Sequence, residues 1–463
     1  MRWIAISIIA ILGIAAYHFP ATAKVPQSRP EISLTFAPLV KQAAPAVVNI
    51  YARRVVAERS NSPFANDPFF REFFRDFGQM RPRVQNSLGS GVILSEDGIV
   101  VSNYHVVGQA TDIRVVLNDR REFSARVLLA DEESDLAILQ LDEANDMPHL
   151  SLRDSDTVEV GELVLAIGNP FGVGQTVSSG IVSGLARSGT ATGNGRGYFI
   201  QTDAPINPGN SGGALIDVNG ALIGVNTSIL TRSGGSNGIG FAIPASLVAQ
   251  FVAQAREGLT RFARPWAGMS GQAVDADLSE SLGLSVPGGV VVSELHRASP
   301  FAEAGIEVGD VILAVDGQPV NTPPEMIYRM AVRGIGSSVD VTFARQGRED
   351  TVDVAMIAPP DIPPRNEITL GRGDLIEGLT IARANPAVQD ELGLPAGAEG
   401  VVVTDPGEIG ARLGLQRGDV IEAIGRVRIE APDDVARILR RASGRVGMQV
   451  LRRGQRVVLR FRV

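Results

Sequence analysis

The C-terminal half of the sequence contains an internal repeat. Three patterns occur twice, at 282–284 and 392–394, at 289–292 and 400–403, and at 305–312 and 414–421. The two copies of the third pattern are 109 residues apart, far more than the roughly 20 to 50 residues per unit of a solenoid. The chain therefore ends in two duplicated domains, and the residues before about 262 fold separately.

Composition limits the chemistry that this chain can perform. It has 463 residues, of which 44% are hydrophobic and 20% charged, enough for roughly two to four globular domains. The formal net charge of −8 gives no overall positive field, so nucleic acid is not an expected partner. Cysteine is absent, which excludes a thiol nucleophile, thiolate metal ligands and disulfide bonds.

The N-terminus has the pattern of a secretory signal peptide. Arg2 precedes an apolar run that continues to Tyr17, and small residues follow at Ala21 and Ala23. The run is short for a membrane span, which needs about 20 apolar residues, and the small residues are typical of a cleavage site. We expect residues 1–23 to be removed on export; the alternative is an uncleaved membrane anchor.

Residues 24–258 read as one mainly β domain. Short β-rich runs separated by turn residues favour antiparallel barrels or sandwiches over βαβ units. The segment 57–86 interrupts this pattern with phenylalanines at helical spacing. This insert is expected either to pack on its own domain or to pack on a neighbouring subunit or cover the active site. Its aromatic residues are Phe64, Phe69, Phe70, Phe73, Phe74 and Phe77.

A glycine-rich stretch at 205–213 presents a candidate nucleophile, Ser211, on a loop between two apolar runs. Glycine permits tight turns, and the backbone N–H groups of such a turn, here Gly209 and Ser211, can stabilise an oxyanion.

A serine nucleophile needs a base to remove its proton and an acid to orient that base. Of the four histidines, His105 lies at the end of a β-rich run, and Asp135 begins another. The order His, Asp, Ser along the chain matches the chymotrypsin-type triad, which needs no metal or other cofactor.

These segments resemble the catalytic blocks of the Deg/HtrA family of trypsin-like serine proteases with PDZ domains. The matching blocks, in chain order, are 102–106, 134–138, 168–172, 209–213 and 238–244. The resemblance as a whole extends over nearly the entire mature chain. The resemblance implies a mainly β fold, with two six-stranded chymotrypsin-like barrels followed by two α+β PDZ domains. We place the PDZ domains at 262–358 and 369–463, with a proline-rich linker at 359–368.

The primary specificity pocket is expected to be neutral and narrow. In the trypsin-like arrangement the residue six before the nucleophile lies at the base of the pocket, and here it is Pro205. A neutral, constricted pocket favours a small aliphatic side chain such as Val, Ala or Ile before the cut. Because apolar pockets discriminate weakly between such groups, we predict a preference and no strict specificity. The predicted oxyanion and substrate-binding residues are Gly209, Asn210, Ser211, Thr227, Ser228, Ile229, Leu230 and Thr231.

PDZ domains bind a peptide C-terminus as an added strand, with the carboxylate held by backbone amides of a glycine-containing loop. In the first copy this loop is formed by Trp266, Ala267, Gly268 and Met269. In the second copy Thr380 replaces the glycine. Peptide capture by the second copy is therefore in doubt, and a role in structure or assembly is the alternative.

The sequence thus predicts an ATP-independent serine endopeptidase in the periplasm that degrades unfolded or damaged envelope proteins and recognises their exposed C-termini. The family resemblance implies a homotrimer or a larger homo-oligomer. Two alternatives stay open: a regulatory protease that cuts one envelope signalling protein, and a chaperone-like binder in which proteolysis is secondary.

Overall fold

The computed structural model describes residues 35–56, 83–169, 174–188, 198–207, 209–229, 238–284, 286–394, 398–442 and 444–462. The predicted signal peptide and residues 57–82 of the phenylalanine-rich insert lie outside these ranges, whereas residues 83–86 belong to a strand. No helix within the described ranges is long and apolar enough to span a membrane.

The first six strands form a closed antiparallel barrel in the order β1-β2-β3-β6-β5-β4. A short helix, α1 (Ala37–Ala43), leads into it through a 3₁₀ turn (Ala44–Ala46), and α2 (Tyr104–Val107) follows the third strand. The strands are β1 (Val47–Val56), β2 (Arg83–Ile93), β3 (Ile99–Ser102), β4 (Asp112–Val116), β5 (Glu122–Asp131) and β6 (Leu136–Leu141).

The next six strands close a second barrel in the order β10-β11-β12-β9-β8-β7, and helix α3 (Ala245–Arg256) follows it. A 3₁₀ turn (Ser155–Thr157) lies before its first strand. The strands are β7 (Leu163–Gly168), β8 (Thr176–Ser188), β9 (Tyr198–Thr202), β10 (Ala214–Asp217), β11 (Leu222–Ile229) and β12 (Gly240–Pro244). The predicted pair of six-stranded barrels is confirmed.

The inner strands are almost continuously apolar because both of their faces are buried. In β6, Ala137 and Leu139 point into the first barrel, whereas Leu136 and Ile138 join a core shared by the two barrels and α3. Alternate residues of a strand face opposite sides, so each such strand contributes to two cores at once. Burial of each such aliphatic side chain contributes about 1.5–3 kcal/mol to the free energy of unfolding. The shared core therefore fixes one barrel against the other.

The C-terminal half folds as two similar sheets, which matches the sequence repeat. The first has the order β13-β14-β15-β17-β18 with β16 paired to β15, and the second has the order β19-β20-β21-β22-β24-β25 with β23 paired to β22. The elements of the first are β13 (Met269–Ala273), α4 (Ala276–Ser281), β14 (Val290–Leu295), α5 (Pro300–Glu303), β15 (Val311–Val315), β16 (Gln318–Pro319), α6 (Pro323–Arg333), β17 (Ser338–Arg345) and β18 (Arg348–Ala355).

The second sheet repeats this order of elements with one added strand, β19, at its edge. Its elements are β19 (Ile368–Thr369), β20 (Thr380–Arg383), α7 (Pro386–Leu392), β21 (Val401–Asp405), α8 (Gly407–Arg412), β22 (Val420–Ile424), β23 (Val427–Arg428), α9 (Pro432–Arg441), β24 (Arg445–Arg452) and β25 (Gln455–Arg462). The mainly β fold class is therefore confirmed, with helices concentrated in the two C-terminal domains.

The first C-terminal domain packs its helix α6 on the second barrel and on α3. The rings of Tyr198 and Tyr328 stack with centroids 3.9 Å apart. The guanidinium of Arg329 binds Asp156 and donates from Nη2 to the Tyr198 hydroxyl at 3.0 Å. Aromatic stacking and a charge-assisted hydrogen bond thus join the two domains.

Candidate active site

The ends of two neighbouring strands bring His105 and Asp135 together. Strands β3 and β6 are antiparallel neighbours, with Ser102 opposite Ala137. His105 lies in α2, which begins two residues after β3 ends, and Asp135 directly precedes β6. Two residues 30 positions apart in sequence therefore meet at one end of the first barrel.

The carboxylate of Asp135 holds His105 through three hydrogen bonds. Nδ1 of the imidazole lies 2.9 Å from Oδ1 and 2.9 Å from Oδ2 of the carboxylate. The backbone N–H of His105 also donates to Oδ1 at 3.0 Å. In the neutral imidazole, a proton on Nδ1 leaves Nε2 as the acceptor, which is the tautomer that a general base requires.

Asp135 adopts a backbone conformation that is uncommon outside glycine. Its φ of 52° lies in the left-handed region, where aspartate and asparagine are enriched and where a non-glycine residue costs about 1–3 kcal/mol. The Asn103 side chain donates from Nδ2 to the Asp135 carbonyl at 2.9 Å. This bond stabilises the turn in the conformation that directs the carboxylate at His105.

Asp135 also changes the acidity of His105. Burial alone would lower the pKa of His105, but the charge of Asp135 and its hydrogen bond outweigh this effect and hold the pKa above its ordinary value. An opposite charge favours the protonated imidazole. Asp135 therefore makes His105 a stronger base than an isolated histidine.

Ser211 lies on a tight turn that leads from β9 towards β10. Gly209 and Gly212 have φ values of 92° and 82°, which glycine tolerates without strain. A Cβ at Gly212 would overlap the Ser90 carbonyl, so only glycine fits there. The turn is tied to the first barrel because Ser90 donates from Oγ to the Gly209 carbonyl at 2.6 Å and from N to the Ser211 carbonyl at 2.9 Å.

The same turn leaves two backbone donors unused. Within the described part of the chain, the N–H groups of Gly209 and Ser211 donate to no acceptor. Asn210 between them is buried, and its side chain has no hydrogen-bond partner there either. It lies so close to Gly168 that a Cβ at that glycine would overlap Asn210 Oδ1. Two N–H groups one residue apart, both without an acceptor among the described residues, are suited to bind a developing oxyanion.

Thr227 connects the carboxylate to the serine. Its hydroxyl donates to Asp135 Oδ2 at 2.6 Å, and its backbone carbonyl accepts from Ser211 Oγ at 3.0 Å. From the sequence, Thr227 was predicted to bind substrate, and neither of these two contacts was predicted. The pairing depends on β11 lying beside the first barrel, for which a single sequence carries no signal.

The remaining predicted pocket residues are only partly described. Ser228 and Ile229 lie in β11, whereas Leu230 and Thr231 fall outside the described residues. Pro205 is exposed and its carbonyl accepts from Ser178 Oγ at 2.7 Å, while the adjacent Ile206 is buried. Both residues are uncharged, which is consistent with a neutral pocket; the preference for small aliphatic side chains stays a prediction.

The first C-terminal domain presents an open strand edge beside its predicted carboxylate loop. In the described sheet β13 pairs only with β14, and the N–H groups of Ala267 and Gly268 have no acceptor among the described residues. Gly268 has a φ of 62°. The Ser299 hydroxyl secures the loop by donating to the Ala267 carbonyl at 2.5 Å.

The corresponding edge of the second C-terminal domain is covered by its own chain. Strand β19 pairs with β20, placing Thr369 opposite Thr380. The loop N–H groups are also used, since Gly378 donates to the Leu370 carbonyl at 2.8 Å and Leu379 to the Ile376 carbonyl at 3.2 Å. Ile368, at the end of the predicted linker, therefore belongs to this sheet. An added peptide strand would have to displace residues that are already paired.

No group of three or more histidine or acidic side chains is arranged to hold a metal ion in the described part of the chain. The other two histidines in these ranges lie away from the triad. His149 Nδ1 is 3.2 Å from the Met147 carbonyl, and the His296 ring packs edge-on against Trp266.

Family models match three parts of the chain. Residues 89–225 match a trypsin-like peptidase domain, and residues 264–356 and 400–452 each match a PDZ domain.

The chain also resembles curated proteins over most of its length. It is 35% identical to the periplasmic pH-dependent serine endoprotease DegQ of Escherichia coli (strain K12), over 96% of this chain and 95% of that protein. It is 38% identical to a probable periplasmic serine endoprotease DegP-like of Marinomonas sp. (strain MWYL1), over 92% and 93%.

Solved structures of an HtrA-type protease, AlgW, share the fold of most of the chain. The complex with a decapeptide is 40% identical and covers 72% of this chain and 100% of that one, with a TM-score of 0.51. The complex with a tripeptide is 38% identical and covers 72% and 99%, with a TM-score of 0.53.

Proposed function

Because this chain belongs to the Deg/HtrA family of periplasmic serine endopeptidases, we propose that Ser211, His105 and Asp135 are its catalytic triad. The observation that supports this assignment is the network around Asp135. Its carboxylate binds His105 Nδ1 and the hydroxyl of Thr227, whose carbonyl binds Ser211 Oγ. Hydrogen bonds thus link both the candidate base and the candidate nucleophile to the orienting acid, His105 directly and Ser211 through Thr227.

The proposed reaction is acyl transfer from a peptide bond to water. Ser211 Oγ attacks the carbonyl carbon while its proton passes to His105 Nε2, which requires the hydroxyl to turn from the Thr227 carbonyl towards the imidazole. The imidazolium then donates this proton to the leaving amine, and the C–N bond breaks. Water, deprotonated by His105, releases the acyl group and restores Ser211.

The oxyanion of each tetrahedral intermediate is proposed to bind the N–H groups of Gly209 and Ser211. Both are unpaired within the described residues, and the glycines on either side hold the turn in place without strain. Removing one oxyanion donor from a serine protease costs about 2.7–4 kcal/mol of transition-state stabilisation. These two N–H groups therefore supply a large part of the rate enhancement.

We propose that the substrates are unfolded or damaged envelope proteins and that proteolysis needs no ATP. The specificity pocket predicted from Pro205 is neutral and would discriminate weakly, which suits an enzyme that selects substrates by their lack of structure. Two PDZ domains favour general quality control over cleavage of one signalling protein.

Degradation of casein tests this function. We expect the purified chain to degrade casein without ATP and in the presence of EDTA, and to leave a stably folded globular protein intact. Absence of casein cleavage, or cleavage that stops when ATP or divalent cations are withdrawn, would contradict the proposed function.

Peptide C-termini are proposed to bind to the first PDZ domain alone. Its strand β13 has an open edge, and the N–H groups of Ala267 and Gly268 are unpaired among the described residues. In the second domain, residues 365–370 already run along β20. An added strand with its carboxylate on backbone amides therefore fits the first domain and is obstructed in the second.

Titration of the full-length chain with a fluorescent apolar decapeptide is expected to give one bound peptide per protomer. The same peptide with an amidated C-terminus should bind about 10 to 100 times more weakly, because hydrogen bonds to a charged group contribute about 1.5–3 kcal/mol. Two bound peptides per protomer, or equal affinity for the amidated peptide, would show that this assignment is wrong.

We also propose that the chain forms a homotrimer or a larger homo-oligomer. An exposed apolar area supports self-association: Leu163 and Ile181 lie opposite each other on β7 and β8, close to the exposed Val160. Light scattering measures the mass directly, and a mass equal to one chain would exclude the assembly.

A further inference from the structure

The turn that ends in Asp135 is fastened by an arginine from outside the barrels. This turn, 131–135, begins at the last residue of β5 and ends directly before β6. Within the turn, the N–H of Ser134 donates to Asp131 Oδ2 at 2.8 Å. The N–H of Asp135 donates to the Glu132 carbonyl at 3.3 Å. These internal bonds are few for a segment that must hold a left-handed aspartate.

Arg264 supplies the missing restraint. It lies in the connection between α3 and β13, the stretch that joins the protease domain to the first PDZ domain. Its Nη1 lies 3.3 Å from Asp131 Oδ1 and its Nη2 lies 2.5 Å from Asp131 Oδ2. Nη2 also donates to the Ser134 hydroxyl at 2.7 Å. One guanidinium therefore binds the first residue of the turn and the residue next to Asp135.

The surroundings of Arg264 make this contact rigid. Its side chain is 19% exposed and that of Asp131 is 16% exposed. The guanidinium also lies over the ring of Phe262, 5.1 Å from its centroid. A bidentate arginine–carboxylate pair is strong and fixes orientation as well as distance, and salt screens a largely buried pair much less than an exposed one.

We propose that Arg264 is a positioning residue for catalysis: by clamping Asp131 and Ser134 it keeps the carboxylate of Asp135 on His105. This inference rests on the proposed triad. The carboxylate must stay on Nδ1 while the imidazole gains and loses a proton, and it reaches there from a strained backbone held on one side by Asn103. Arg264 holds the other side. A small displacement of such a group reduces catalysis strongly even when the substituted residue lies far from the substrate.

The test compares Arg264→Met with Arg329→Met in the full-length chain. Arg329 is a matched control because it also joins the first PDZ domain to the protease domain, through Asp156 and Tyr198, and no contact of it with residues 131–135 occurs among the described residues. With a short chromogenic peptide, we expect Arg264→Met to lower kcat about 10- to 100-fold and leave KM nearly unchanged. Arg264→Lys keeps the positive charge but cannot bind the carboxylate through two parallel hydrogen bonds, so it should recover part of the lost kcat.

A pH profile separates positioning from general loosening of the fold. If Asp135 moves away from His105, the imidazole loses the charge that favours its protonated form, and the acid limb of kcat/KM moves to lower pH. We expect this movement in Arg264→Met and not in Arg329→Met. Ser134→Ala removes only the hydrogen bond between Arg264 and the Ser134 hydroxyl. It should lower kcat less and move the acid limb less far towards low pH. It can replace Arg264→Met in this test if that variant does not fold.

Two results would overturn the proposal. One is a wild-type kcat and an unmoved acid limb in Arg264→Met; the other is a lowered kcat and an acid limb at lower pH in Arg329→Met as well. In the first case Arg264 has no effect on the triad, and in the second the effect comes from the domain junction. Failure of the wild-type chain to cleave the peptide would instead contradict the proposed function itself.

Discussion

Replacing Ser211 by alanine is expected to abolish proteolysis while leaving the fold intact. Loss of the nucleophile of a serine protease lowers kcat by about 10⁶-fold, because no other group can form the acyl-enzyme. Among the described residues the Ser211 hydroxyl makes one hydrogen bond, to the Thr227 carbonyl, so the alanine variant loses few contacts. Casein degradation followed by gel electrophoresis measures the loss, and circular dichroism checks the fold.

The same variant separates binding from cleavage. If the chain also protects unfolded proteins, Ser211→Ala should still suppress the aggregation of a denatured client, since the PDZ domains are unchanged. Casein cleavage at the wild-type rate by Ser211→Ala would remove Ser211 from the catalytic mechanism.

Replacing Asp135 by asparagine is expected to have the second largest effect, a loss of about 10⁴-fold in kcat. The carboxylate accepts from Nδ1 of His105, whereas an amide can donate to that nitrogen and stabilise the tautomer in which Nε2 is not a base. Steady-state kinetics with a chromogenic peptide measures the loss. Glu132→Gln is the matched control, because it removes one negative charge from the same turn at an exposed position and should retain wild-type kcat.

The pH dependence of the asparagine variant provides a second readout. In the wild type, the charge of Asp135 holds the pKa of His105 above its ordinary value. Activity requires the neutral imidazole, so kcat/KM rises with pH as His105 loses its proton. Without the carboxylate this pKa falls, and the acid limb of the residual activity should move to lower pH. An acid limb that stays in place or moves upward would contradict the assigned pairing of Asp135 with His105.

The sequence predicted the fold class correctly because its signals are local. Short β-rich runs and turns indicated antiparallel sheets, and the repeat indicated two similar C-terminal domains. Both were confirmed by the closed barrels and the two similar sheets. The juxtaposition of His105 and Asp135 was accessible for the same reason, because each residue lies at the end of a β-rich run.

Other parts of the site depend on contacts between distant segments, and the sequence carries no signal for them. The contacts of Thr227 with Asp135 and with Ser211 require the second barrel to lie beside the first. The contact of Arg264 with Asp131 requires the connection between the protease domain and the first PDZ domain to cross the turn that begins at Asp131. For the second PDZ domain, the Thr380 substitution raised doubt about peptide binding. The physical obstruction, strand β19 on the edge of β20, was visible only in the structure.

In the proposed mechanism the Ser211 hydroxyl is activated by the His105–Asp135 pair. The most direct measurement is reaction of the full-length chain with a fluorophosphonate, followed by mass spectrometry of the digested protein. We predict one phosphonyl adduct per chain, on the peptide that contains Ser211, and loss of this adduct in His105→Ala. An adduct on another residue, or labelling of Ser211 at an unchanged rate in His105→Ala, would contradict this mechanism.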